Sequence, residues 1–138
     1  MDQMQVVFID IEASGLGPDS YPIEIGWALS DDRTESFLIR PVPEWDHWDE
    51  CAEDLHGISR EQLFAKGVDA SKAVRRLENA LALPDLTIVS DAASQDEFWL
   101  DRLFEQTSSV RRFAIVDIQH LARRCGRHDT KVLDLSDF

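Results

Sequence analysis

Asp10 and Glu12 stand two residues apart at the end of the apolar run Gln5-Val6-Val7-Phe8-Ile9-Asp10-Ile11. In a strand that spacing turns both carboxylates to one face. Paired carboxylates at a buried strand end repel each other and need a counter-charge. Mg²⁺ or Mn²⁺, hard ions that prefer oxygen ligands, supply one. A solvated strand terminus is the plainer reading of a bare D-x-E pair. The other residue types that could serve a ligand are the tryptophans Trp45 and Trp48, in a polar loop with Pro43, Asp46 and His47. Such rings stack on bases without regard to sequence, or pack over a sheet edge or a partner. Trp27 and Trp99 fit core positions.

The elements that position these residues follow from hydrophobic patterning. The β-branched run from Gln5 to Ile11, closed by Gly15, Gly17 and Pro18, reads as a buried central strand. Pro22–Leu29 and Thr34–Ile39 read as a second and third strand around an Asp31-Asp32 turn. Pro41, Pro43 and the tryptophan segment form an irregular stretch. Ser59-Arg60-Glu61-Gln62 carries a capping box that opens a short helix. Asp69 or Ser71 opens a longer one, with Ala73, Val74, Leu77 and Leu81 on one face. Pro84 ends it. Leu86–Val89 is a fourth strand, 95–106 a helix, Phe113–Val116 a fifth strand, and Ile118–Arg124 a helix stopped by Gly126. Strands in meander order followed by strand–helix units indicate an α/β domain with a mixed sheet.

The 138 residues suit one domain, 1–138, with one core, and 43% hydrophobic against 30% charged is an ordinary globular balance. The first residues lack the basic and apolar blocks of a signal peptide, and no apolar run approaches the ~20 residues that span a bilayer. Cys51 and Cys125 lie far apart with no CxxC spacing, so neither zinc nor a disulfide framework is indicated. A reducing cytoplasm and no membrane association are the expectation. The net charge of −13 looks unsuited to phosphate binding. It is unevenly spread: residues 1–101 hold 7 Lys+Arg against 22 Asp+Glu, and 102–138 hold 7 against 5. An acidic cluster that binds cations reverses its local field. The balance therefore disfavours tracking along a duplex and permits short contacts to an end.

Ile9-Asp10-Ile11-Glu12-Ala13-Ser14-Gly15-Leu16 resembles the first motif of the DEDD 3′–5′ exonucleases, D-x-E-T/S-T/S-G-L, and Leu55-His56-Gly57-Ile58-Ser59-x-Glu61-x-Leu63 resembles their H-G-I-T/S-x-E-x-L segment. Ala93-Ser94-Gln95-Asp96-Glu97-Phe98-Trp99-Leu100 resembles the second motif, H-N-A-S-F-D-x-x-F-L, with Asp91-Ala92 in place of the H-N pair and Gln95 in place of Phe. Asp96 falls in register with the metal-binding Asp of that motif. Asp91 either adds charge near the site or caps the helix. The third motif, H-x-x-x-x-D, is matched less well. His128 and Asp134 have five residues between them, and Asp129 occupies the position that a four-residue gap assigns to His. On a helix five positions rotate by roughly 140° and six by roughly 240°. Either an irregular segment lets His128 swing in or the base is displaced and activity is poor. The C-terminal helix that usually braces this motif looks short.

The resemblance implies a ribonuclease H-like α/β fold, a five-stranded mixed sheet flanked by helices, with the site at the end of the first strand. It implies two-metal hydrolysis in which Asp10, Glu12, Asp96 and Asp134 hold two Mg²⁺ or Mn²⁺ ions and His128 is the general base. Ser14, Gly15 and Leu16 would receive the terminal nucleotide, with Leu16 wedged against a base. His56 is either part of that binding surface or a turn residue, and His128 is either the base or an exposed imidazole. The expected partner is the 3′ end of single-stranded RNA or DNA. A catalytically impaired relative that binds nucleic acid or a protein is the alternative. A homodimer, or a polymerase docked on the acidic surface, also stays open.

Overall fold

A computed structural model of the chain describes residues 5–121. Its sheet is built around the apolar run that ends in Asp10 and Glu12. β1 (Gln5–Ala13) lies in the middle of five strands in the order β3-β2-β1-β4-β5. β2 (Pro22–Leu29) and β3 (Thr34–Leu38) pair antiparallel on one side, while β4 (Leu86–Ser90) and β5 (Ile115–Asp117) pair parallel on the other. This is the mixed sheet that the strand pattern predicts. The Asp31-Asp32 turn forms where expected: Asp32 adopts φ 72°, and the Leu29 N–H donates to the Arg33 carbonyl at 2.8 Å. β1 runs two residues beyond its predicted end, with a register shift between Glu12 and Ala13.

Alternate residues of β1 (Val7, Ile9, Ile11, Ala13) are buried, whereas Asp10 is exposed and Glu12 half-buried on the opposite face. The buried face joins Ile23, Ile25 and Ile88 in one core with the apolar stripes of α3 (Ala70–Leu81) and α4 (Ala93–Phe104). On α3 that stripe is Ala73, Val74, Leu77 and Leu81, as the helical spacing predicts, and Asp69 is the N-cap, accepting from Lys72 N–H at 2.8 Å. α2 (Arg60–Lys66) starts with the predicted capping box of Ser59 and Gln62. α4 begins at Ala93 and ends at Phe104, two residues earlier at each end than its pattern indicates. β5 starts at Ile115, not Phe113. Residues 118–121 are helical, so the start of the last predicted helix is present, and its remainder lies outside the described residues.

One element was not legible. α1 (Glu50–His56) buries no side chain, so it has no apolar stripe to betray it. It is fixed from its ends: Asp49 caps it by accepting from Cys51 N–H at 2.9 Å, and Gly57 closes it at φ 73°. The tryptophan stretch before it is irregular, as expected, but it is pinned. Trp45 is buried and stacks on Tyr21 with centroids 5.1 Å apart. The Arg60 guanidinium donates to the Trp45 carbonyl and to the Tyr21 hydroxyl. Trp48 donates to Glu53 Oε1 at 2.8 Å. Packing, one of the two readings of these rings, is what Trp45 does.

Leu77 is fully buried between helix and sheet. Leu77→Ala should cost about 2–5 kcal/mol of unfolding free energy, the range for emptying a packed leucine site, measured by denaturant titration.

Candidate active site

Three carboxylates face one another across the C-terminal ends of β1 and β4. Asp10 and Glu12 come from β1, and Asp96 from the first turn of α4. Burial raises the proton affinity of Asp10, and the charge of Asp91 adds to it, against one backbone N–H at Ile11. Burial also raises Glu12, helped by Asp10 and by Glu24, its cross-strand neighbour on β2. Asp96 is only 2% exposed. Burial pushes its pKa up to about 6, opposed by a hydrogen bond from Ser90 and reinforced by Asp10, Asp91 and Glu12.

Ser90 is a residue that motif reading missed. It is fully buried at the end of β4, donates to Asp96 Oδ2 at 2.6 Å and accepts from Ala92 N–H at 2.9 Å. It ties the start of α4 to the sheet and aims the Asp96 carboxylate. The available signal was a serine closing an apolar strand six residues before the acid. Asp91 does not cap α4: the N-cap is Ala92, whose methyl side chain accepts no hydrogen bond from the first turn. Of the two readings for Asp91, added charge is the one the geometry gives, through its effect on Asp10 and Asp96.

The all-oxygen donors, raised in proton affinity by burial and by one another, suit a hard divalent cation. Among the described residues, however, no group of three or more His, Cys, Asp or Glu side chains is close enough to hold a metal ion. His128 and Asp134 lie outside the described residues.

Next to the carboxylates is a cleft of about 330 Å³, lined by Glu12, Gly15, Leu16, Leu55, His56 and Trp99 among others. Two leucines stand out from its rims, Leu16 at 71% exposure and Leu55 at 90%. His56 accepts from Ile58 N–H through Nδ1 at 3.0 Å, which puts the proton of the neutral ring on Nε2. That Nε2 is buried with no hydrogen-bond partner among the described residues. Burial holds the imidazole below its ordinary value, opposed by Glu53, Glu24 and the Ala13 backbone. Ser14 is fully buried, and its hydroxyl is already engaged by Tyr21 N–H and His47. Gly15 is required by close approach: a Cβ there would sit 2.7 Å from His47 Cε1 and 2.8 Å from Asp49 Cβ.

The strand order, with helices packed on the central strand, defines a ribonuclease H-like domain. Solved structures of exonuclease I share it. An inhibitor complex superposes with TM-score 0.73 at 17% identity over 95% of this chain and 32% of that one. The E. coli enzyme with a dT13 oligonucleotide gives 0.72 at 18% identity over 96% and 32%. An ExoI/SSB-Ct complex gives 0.74 at 18% identity over 96% and 32%. At these identities the likeness establishes the fold, and the chain spans about a third of the length of each. No protein-family model matches the chain, and no curated protein matches it in sequence. Among the described residues, no helix is long and apolar enough to cross a membrane.

Because the native state holds the Asp96 proton more tightly than the unfolded chain does, metal-free protein should lose stability as pH rises from about 4 through 6. Asp96→Asn should remove that part of the pH dependence. At pH 7 without metal it should be more stable than the parent by on the order of 2–3 kcal/mol, read from paired denaturation curves. Equal slopes for parent and variant would mean that Asp96 ionises freely in the folded protein.

Proposed function

We propose that the chain is a divalent-metal-dependent 3′–5′ exonuclease acting on single-stranded RNA or DNA. The observation that carries this reading is the meeting of Asp10, Glu12 and buried Asp96 at the end of the central strand, where Asp10 raises the proton affinity of Glu12 and both raise that of Asp96. The sheet around them is the one found in exonuclease I. In this reading Asp10, Glu12 and Asp96, joined by Asp134, hold two Mg²⁺ or Mn²⁺ ions. Bound there, such ions would lower the pKa of water and stabilise a leaving 3′ oxygen. The rest falls to the protein's own groups. The Ser14-Gly15-Leu16 turn presents Leu16 to the terminal base, with Ser14 acting through the turn it fastens. Leu55 closes the other wall of the cleft, and the unpaired Nε2–H of His56 is a donor to the bound end. Ser90 aims Asp96. His128 accepts the proton of the attacking water.

A non-catalytic binder of nucleic acid or protein is the second reading. It is favoured by the five-residue gap between His128 and Asp134 and by the lack of a three-donor cluster among the described residues.

The deciding experiment uses 5′-labelled single-stranded RNA and DNA with Mn²⁺. The nuclease reading expects a ladder that shortens from the 3′ end by single nucleotides, and an intact circular strand. Asp10→Asn should abolish it, and His128→Ala should slow it by about 10²–10⁴-fold, the usual span for losing a general base. Cutting of the circle would contradict exonuclease polarity. No products from either nucleic acid, with binding retained, would establish the second reading.

A further inference from the structure

The cleft wall that carries Leu16 belongs to a loop that runs from Ser14 to Tyr21 and contains two glycines, a proline and an exposed leucine. Gly17 sits at φ 99°, and among the described residues no atom lies within 4 Å of where a Cβ would be. Such a segment is conformationally loose unless its ends are fixed.

Both ends are fixed, by different parts of the molecule. At the exit, Trp99 of α4 donates through Nε1 to Ser20 Oγ at 2.9 Å, and Ser20 Oγ donates to the Gly17 carbonyl at 2.6 Å. Trp99 lies one helical turn after Asp96, so this tie links the loop to the helix that carries the buried acid. At the entry, Asp49 N–H donates to the Ser14 carbonyl at 2.9 Å, and His47 Nδ1 lies 2.9 Å from Ser14 Oγ. Tyr21 N–H already donates to that oxygen at 3.1 Å. The Ser14 hydroxyl still has its proton and a second lone pair for His47. In the chain His47 lies between Trp45, buried on Tyr21, and Trp48, which donates to Glu53, and Asp49 also caps α1, which carries Leu55 and His56. The 45–49 segment therefore braces both walls of the cleft, and Gly15 lets it approach.

We propose that His47 is a positioning residue for nucleic-acid binding: by engaging Ser14 it sets the Ser14–Tyr21 loop and so the distance between Leu16 and Leu55. This rests on the function proposed for the cleft. The chemistry makes a selective forecast. Asparagine places an amide atom where the Nδ1 of histidine lies, while glutamine carries its amide one carbon farther out. His47→Asn should keep the contact, and His47→Ala and His47→Gln should lose it.

Two readouts on the full chain test this: amide hydrogen exchange across residues 14–21, and anisotropy of a 5′-fluorescein-labelled dT oligonucleotide with Ca²⁺ present. In the Ala and Gln variants the loop amides should exchange about three- to tenfold faster and oligonucleotide affinity should fall by a similar factor, the size expected for one hydrogen bond. The Asn variant should match the parent in both. Unchanged exchange in His47→Ala, or faster exchange with unchanged affinity, overturns the role of His47 while leaving the cleft reading intact. Equal behaviour of Asn and Gln also overturns it. A parent chain that fails to bind the oligonucleotide overturns the cleft reading itself, and the positioning role with it.

Discussion

Asp10, Glu12 and Asp96 sit where burial and mutual repulsion both oppose their ionisation, and this repulsion is the constraint around which the domain is arranged. A protein selected for stability alone would place apolar or neutral groups at the end of its central strand. Here the backbone does the reverse. β1 extends two residues past its apolar run, bringing Glu12 opposite Glu24, and α4 begins directly above with an aspartate in its first turn. Among the described residues the neutral relief is Ser90, one hydroxyl held on the Asp96 carboxylate, and the Ile11 backbone N–H at Asp10. Charge left uncompensated by the fold in this way is a common mark of a site that takes a cation.

The rest of the structure steadies what surrounds that site. The Tyr21–Trp45 stack and the Arg60 bridge fasten the 45–49 segment to the end of β1. From that segment come the Asp49 cap of α1 and the His47 contact to Ser14. From α4 comes the Trp99–Ser20 tie. Leu16 and Leu55 are left projecting on opposite rims of one cleft, an arrangement that costs solvation free energy in the empty protein and gains it back over a flat apolar ligand such as a base.

Much of this was legible in the sequence, for identifiable reasons. The β-branched run of β1, the Asp31-Asp32 turn, the Ser59 capping box and the α3 stripe each carry a local signal that the tertiary structure has no reason to override. Asp10, Glu12 and Asp96 were singled out because D-x-E at a strand end and an acid opening a helix fall in recognisable motifs. α1 was not found, since a seven-residue helix with no buried side chain leaves no period to read. The Ser90–Asp96 bond was missed, and the Ser20–Trp99 tie and the His47–Ser14 contact were out of reach. Each joins residues whose meeting is decided only when helix, loop and strand ends converge. The reading of Asp91 as a cap failed because Ala92, one residue later, stands at the N-cap position of α4.

The central claim is that the acids at the end of β1 and the start of α4 form one cation site. Paramagnetic broadening by Mn²⁺ in amide NMR spectra tests it most directly. At substoichiometric Mn²⁺, signals of residues 10–12 and 90–96 should disappear first, ahead of the exposed acids of α1 and of the Asp31-Asp32 turn. Broadening that spreads evenly over the acidic surface, or that spares residues 10–12 and 90–96, would contradict a built cation site there.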